Sequence, residues 1–293
     1  MSLYRVPESD MRDECKRTIE ALELWLRRLI DDKLSETFGS DYLSASRADG
    51  PSVIGGKLAH SLLACQSQDP KRFARPIDAA LLEDEISIVC NPELYKRCFR
   101  EALSSVFPDG NDAMRTVLRR LVAARNTLSH ANPLSVHDAY RVLCYSMDVI
   151  EGLKNYYAEI NMSQSYNVPT VVRVWDSLGH EVYLSGANRD ADGPVVIDYS
   201  RDDSAHLRCG DSISIEVNVD PTFDPQDYDI RWGISEIGDP NTPGTSRFHL
   251  HLTERHVSTM FGVVCRVVSK KSWHKLQTCD DQIEVRYRVL PPP

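Results

Sequence analysis

The chain is 293 residues long, 42% apolar, and carries a formal charge of -9 from 34 basic and 43 acidic residues, a length that predicts two domains, each able to bury its own core. The acidic balance excludes a broad basic face of the kind that coats nucleic acid non-specifically, while leaving room for a small basic site. No apolar run reaches the ~18 residues of a membrane span, and Arg5, Glu8 and Asp10 are at odds with a signal-peptide core, so a soluble, cytoplasmic protein without membrane contact is expected.

The eight cysteines are scattered with no C-x-x-C pair, which reads as reduced, mostly buried thiols. Acidity is uneven. Up to residue 160 there are 21 Lys and Arg against 24 Asp and Glu, and beyond it 13 against 19.

The first half has helical periodicity. From Ser9 to Glu36, Met11, Cys15, Ile19, Leu22, Trp25, Leu26, Leu29, Ile30 and Leu34 recur at three and four residues, predicting a helix of about seven turns. A loop rich in Ser, Asp and Gly (39–52) leads to a shorter apolar stretch, Leu58 to Cys65. Asn91-Pro92-Glu93 supplies a cap, a first-turn proline and an acidic first turn for a helix to Phe107. The next helix starts near Asn111 or Asp112, turns Met114, Val117, Leu118, Leu121, Val122 and Leu128 inward, and stops before Pro133. Ser135 and Asp138 then form an acidic capping box for a last helix to Ile160, through Val142, Leu143, Met147, Ile150, Leu153 and Tyr157.

Residues 161–169, mostly polar, read as a linker. Beyond them the period becomes two. Ile213, Ile215, Val217 and Val219 alternate with polar residues, as do Ile283, Val285, Tyr287 and Val289. Further strands are expected at Val171 to Trp175, Val195 to Tyr199, Tyr228 to Ser235, Phe248 to Leu252 and Phe261 to Val268, with turns at Asp192-Gly193-Pro194 and Asn241-Thr242-Pro243-Gly244. The expected fold class is therefore α + β in two domains: an all-helical domain over 1–160 and an antiparallel β-sandwich over 170–293. Trp232 on one strand and Cys265 on a later one resemble core positions of immunoglobulin-like sandwiches, although the corner tyrosine two residues before that cysteine is Val263.

One residue breaks the helical pattern. Arg125 falls on the apolar stripe between Leu121 and Leu128, and a buried cation requires an anion: a carboxylate of the same chain, or a phosphate brought by a ligand. Arg125 opens the hexamer Arg-Asn-Thr-Leu-Ser-His, in which Asn126 and His130 share a helical face while Arg125 and His130 lie about 140° apart. Either the helix end distorts before Pro133, or the two residues belong to a site completed by a second chain. Arg115, Arg119, Arg120 and Arg125 on this helix face only Asp112 as an acid, giving a candidate RNA track.

The hexamer at the end of one helix, followed by another, resembles the R-x4-6-H signature of the HEPN superfamily, with the polar residue after Arg that its ribonuclease members carry. Trp25-Leu26-Arg27-Arg28-Leu29-Ile30, Gly39-Ser40-Asp41-Tyr42 and Asn91 to Phe107 extend the resemblance to the HEPN subgroup named after a nuclear mRNA-surveillance endoribonuclease, over roughly residues 8 to 160. The resemblance implies a HEPN-type helical bundle that forms a homodimer and cleaves RNA at the interface without metal or other cofactor. Its catalytic residues would be Arg125, Asn126 and His130, with Arg115, Arg119 and Arg120 as RNA-binding residues. His130 would exchange protons with the ribose 2'-hydroxyl or the leaving 5'-oxygen, Arg125 would hold the phosphate, and Asn126 would orient either. Antiviral defence or a toxin role is the implied setting. In relatives silenced by nucleotidyl transfer a tyrosine lies two residues past the histidine; Asn132 stands there, against that form of control.

A second class of function competes. In it Arg125 pairs structurally with a carboxylate and His130 merely caps the last carbonyls, leaving a scaffold that dimerises or binds a nucleotide and carries a protein-binding sandwich. Two other signals carry less. Gly50 to Lys57 imitates a phosphate loop but has Pro51 where the first glycine belongs and Leu58 where Ser or Thr would hold magnesium. His249 and His251 share one face of a strand and, with His256, look like metal ligands, but an exposed polar face accounts for them better.

Overall fold

In a computed structural model, the structure describes residues 6–46, 50, 52–70, 72–130, 132–160, 167–184, 194–235 and 242–292. Helices occupy residues 8–159 and β-sheets residues 171–290, and the chain divides into two compact units after residue 161. Among the described residues no helix is long and apolar enough to cross a membrane. Of the expected linker, 161–166 lies outside the described residues.

The helical unit is built on α1 (Glu8–Phe38), whose periodic residues from Met11 to Leu34 are all buried. Gly39 closes it at φ 88°, a left-handed conformation that glycine adopts without a Cβ penalty. α2 (Gly56–Gln68) buries little besides Ala59 and Leu62, and α3 (Leu82–Val89) is a helix that the periodicity did not suggest. The expected helix from Asn91 is a composite: α4 (Pro92–Leu94), a π turn (Tyr95–Phe99) and α5 (Arg100–Leu103), with the Asn91 side chain accepting from the Glu93 and Leu94 amides.

α6 (Asn111–Ser129) and α7 (Val136–Glu159) complete the bundle. Ser135 caps α7 by accepting from the Asp138 amide at 3.0 Å while donating to its carboxylate at 2.6 Å. α7 packs along α1, where Trp25 and Tyr157 meet at 6.0 Å and the Tyr157 hydroxyl donates to Asp32. Gly152 allows a close approach, since a Cβ there would lie 2.1 Å from Val106 Cγ2.

Among the described residues the second unit has two sheets. One has the order β2 (Glu181–Tyr183), β1 (Val171–Asp176), β5 (Ser212–Val219), β8 (Arg247–His251). The other runs β3 (Val195–Asp198), β10 (Asp281–Leu290), β9 (Ser258–Ser269), β6 (Tyr228–Ile234), β7 (Thr242–Gly244), with β4 (Leu207–Arg208) also on β10. Alternate residues of both enter one apolar cluster, including Ile213, Ile215, Val217, Val263, Val285 and Tyr287. A polar clasp joins them. Asp176 on β1 accepts from the Tyr287 hydroxyl on β10 at 2.8 Å and from His180 Nδ1 at 2.8 Å.

Two expectations need correction. The sheets are not wholly antiparallel, because β3 and β4 run parallel to β10 along its outer side. No local turn fixes their direction, so alternation alone is silent about it. Thr242-Pro243-Gly244, expected in a turn, forms β7; Pro243 is accommodated there because β7 is an edge strand. Asn241 and the Asp192-Gly193 pair lie outside the described residues.

Candidate functional site

α6 is regular through the hexamer, and the His130 amide still bonds the Asn126 carbonyl at 3.2 Å. The helix end therefore does not distort to bring Arg125 and His130 together. Gly110, at φ 87°, precedes the helix, and Met114, Leu118, Leu121 and Ala124 form its buried face. Val117, Val122 and Leu128 are only partly buried.

Arg125 points inward from α6 toward α1, and its side chain stays 24% exposed. Its Nε lies 3.7 Å from Glu23 Oε1, near enough for charge pairing but beyond hydrogen-bond distance. Nη1 donates weakly to Asn126 Oδ1 at 3.4 Å. The amide end of Asn126 reaches across to α3, donating to Glu83 Oε1 at 2.9 Å.

Glu23 belongs to a larger polar cluster. Its Oε2 accepts from Arg27 Nη2 at 3.1 Å, the i,i+4 pairing of one helical face. Arg27 also donates from Nε to Glu85 Oε1 at 2.7 Å and from Nη2 to the Ala80 carbonyl at 2.6 Å. Glu85 is fully buried, and its Oε2 has no hydrogen-bond partner among the described residues. Burial pushes its carboxyl well above the ordinary range and outweighs the opposing pull of Arg27. Arg27 is itself buried, but Glu85, Glu23 and Asp78 more than offset that cost and keep it charged.

His130 is exposed, and its imidazole makes no hydrogen bond among the described residues. Three of the last four α6 carbonyls have other donors: the His130 amide takes Asn126, the Asn132 amide takes Thr127, and Arg12 from α1 reaches Leu128. The three arginines expected to track RNA differ. Arg119 and Arg120 are exposed, with Arg120 3.3 Å from the Tyr145 hydroxyl. Arg115 is half-buried and spends its guanidinium on the Cys90 carbonyl at the end of α3.

The sequence reading missed Glu23, Glu83 and Glu85, and gave Arg27 no role of its own. Glu85 could have been found by the rule that singled out Arg125, since it interrupts the run of Leu82, Ile86 and Val89. In the second unit, His249 and His251 are exposed on β8 and face Ser214 and Ser212 of β5, while His256 is buried and accepts from the Thr253 amide. The three histidines thus do not converge. Compared with known proteins, the chain matches no family model, no curated protein and no solved structure.

Proposed function

We propose that this chain is a homodimeric, metal-independent endoribonuclease of the HEPN type. The observation that carries the reading is His130: an exposed imidazole with no hydrogen bond among the described residues, on a helix end where the Asn126, Thr127 and Leu128 carbonyls have other donors. A structural capping role leaves that ring without work, whereas proton transfer requires it to be accessible.

The chemistry follows from the side chains. A neutral imidazole accepts the proton of the ribose 2'-hydroxyl, the 2'-oxygen attacks phosphorus, and the bond from phosphorus to the 5'-oxygen breaks. The leaving oxygen takes a proton from the same ring, by then an imidazolium, giving a cyclic 2',3'-phosphate and a free 5'-hydroxyl. Arg125 holds the phosphate oxygens as negative charge builds on them. Because α6 is regular and Arg125 and His130 diverge, the reading places Arg125 of one chain with His130 of a second. Arg119 and Arg120 supply exposed charge for the flanking strand.

For the second unit the reading is an immunoglobulin-like sandwich that senses a trigger or recruits a protein partner. Its support is the strand order and the buried Trp232–Cys265 pair across β6 and β9. An antiviral or toxin setting rests on the resemblance alone.

A second reading has an observation of its own. Glu23 is a carboxylate facing Arg125 within one chain, as a non-catalytic dimerising scaffold would have. Cleavage of an RNA panel in the presence of chelator separates the two. Wild-type cutting that is lost in His130→Ala and Arg125→Ala supports the ribonuclease; a folded wild type that cuts nothing favours the scaffold.

A further inference from the structure

We propose that Glu23 is the positioning residue for Arg125, taking the Nε edge of the guanidinium so that Nη2 is presented to a phosphate oxygen. The inference rests on the ribonuclease reading and adds a residue and a support chain that the hexamer does not contain. A guanidinium is a rigid fork of five donors, so fixing one edge fixes the direction of the others. In Arg125, Nε faces Glu23 at 3.7 Å and Nη1 faces Asn126 at 3.4 Å, while Nη2 makes no hydrogen bond among the described residues. The side chain is partly exposed, so this end is within reach of a ligand.

The carboxylate is anchored rather than mobile. Glu23 is held by Arg27, and Arg27 by buried Glu85 and the Ala80 carbonyl. On the other flank Asn126 is held by Glu83. Elements α1, α3 and α6 thus set one arginine between two supports. The 3.7 Å separation matters: it orients Arg125 by charge without consuming its donors in a bidentate pair.

A double-mutant cycle tests this. Cleavage rates are measured for Glu23→Ala, Arg125→Ala and the pair, with thermal unfolding as the control for folding. If Glu23 acts through Arg125, Glu23→Ala lowers kcat by about tenfold or more and raises KM as the phosphate contact is lost, and the pair is no slower than Arg125→Ala alone. Glu23→Gln, which keeps an acceptor for Arg27 but removes the charge, replaces the alanine variant if that one unfolds, and it is expected to lower kcat likewise. Unchanged kcat in a folded Glu23 variant, or losses that multiply in the pair, overturns the proposal.

The same variants are titrated with a 2'-O-methyl RNA strand, which lacks the attacking hydroxyl. Loss of one phosphate contact lowers the slope of log affinity against log salt by about 0.7. Both single variants and the pair should show that one step. A wild type that binds the strand with this pattern but cuts no RNA rejects the ribonuclease reading and keeps the positioning claim. A Glu23 variant with the wild-type slope, or a wild type that neither cuts RNA nor binds the strand, overturns the claim.

Discussion

At the scale of single residues, the hexamer divides its work by direction. Arg125 points into the bundle and meets a charge, Asn126 crosses to a neighbouring helix, and His130 is left to solvent. The expectation that Arg125 needs an anion on its inward side is met by Glu23, at a distance that leaves the pairing incomplete. That geometry makes arginine and lysine unequal here. A lysine at 125 retains the charge but has no Nε edge for Glu23 and no second donor fixed in the same plane. Arg125→Lys is therefore expected to lower kcat by about a hundredfold, in the range seen when one transition-state donor is removed, with little change in thermal midpoint. Full activity in the lysine variant would mean that point charge suffices and that the fork is not used.

At the scale of elements, α3 is held to the bundle partly through a buried acid. Glu85 has a carboxyl raised by burial, so the folded state keeps a proton that the unfolded state releases above pH about 4.3. Below that pH both states are protonated and stability is at its full value; as pH rises toward the folded-state value the unfolded chain is favoured and stability falls. Glu85→Gln cannot titrate, so the decline in thermal midpoint above pH about 4.3 should be shallower than in wild type; parallel curves would show that Glu85 does not keep its proton. Asn91 is a separate case. Its carboxamide oxygen accepts two amides at the start of α4, and Asn91→Ala should cost about 1 kcal/mol in chemical denaturation. The legibility of these elements in the sequence tracks their length. α1, α6, α7, β5 and β10 repeat their period often enough to be read, and Asn91 and Ser135 announce their helices by chemistry. α3 is short and carries a charge on its inner face, while β2, β4 and β7 have two or three residues each, too few to establish alternation. The motif itself could be read because its residues are adjacent. Its supports could not, because Glu23 of α1 and Glu83 of α3 meet α6 only after folding, and Glu85 of α3 reaches Glu23 only through Arg27.

At the scale of the whole molecule, the switch from helical to alternating period marks the division between the two units, and the structure divides after residue 161. Neither unit's composition says how many chains work together; under the proposed ribonuclease reading, the helix geometry calls for two. In one chain, α6 stays regular and sends Arg125 and His130 in different directions, so the proposed site, if it uses both, draws them from two chains related by a two-fold axis. Two inactive variants should then repair each other. In an equal mixture of Arg125→Ala and His130→Ala chains that exchange freely, about half of the dimers are mixed, and one of the two sites in each holds an intact arginine from one chain and an intact histidine from the other. Activity should return to about a quarter of the wild-type value, with the cut at the wild-type position. Diluting the mixture below the dimer dissociation constant should abolish it. A mixture as dead as its components, although mass analysis shows that mixed dimers have formed, would mean that each site needs both residues from the same chain or that all four must be intact.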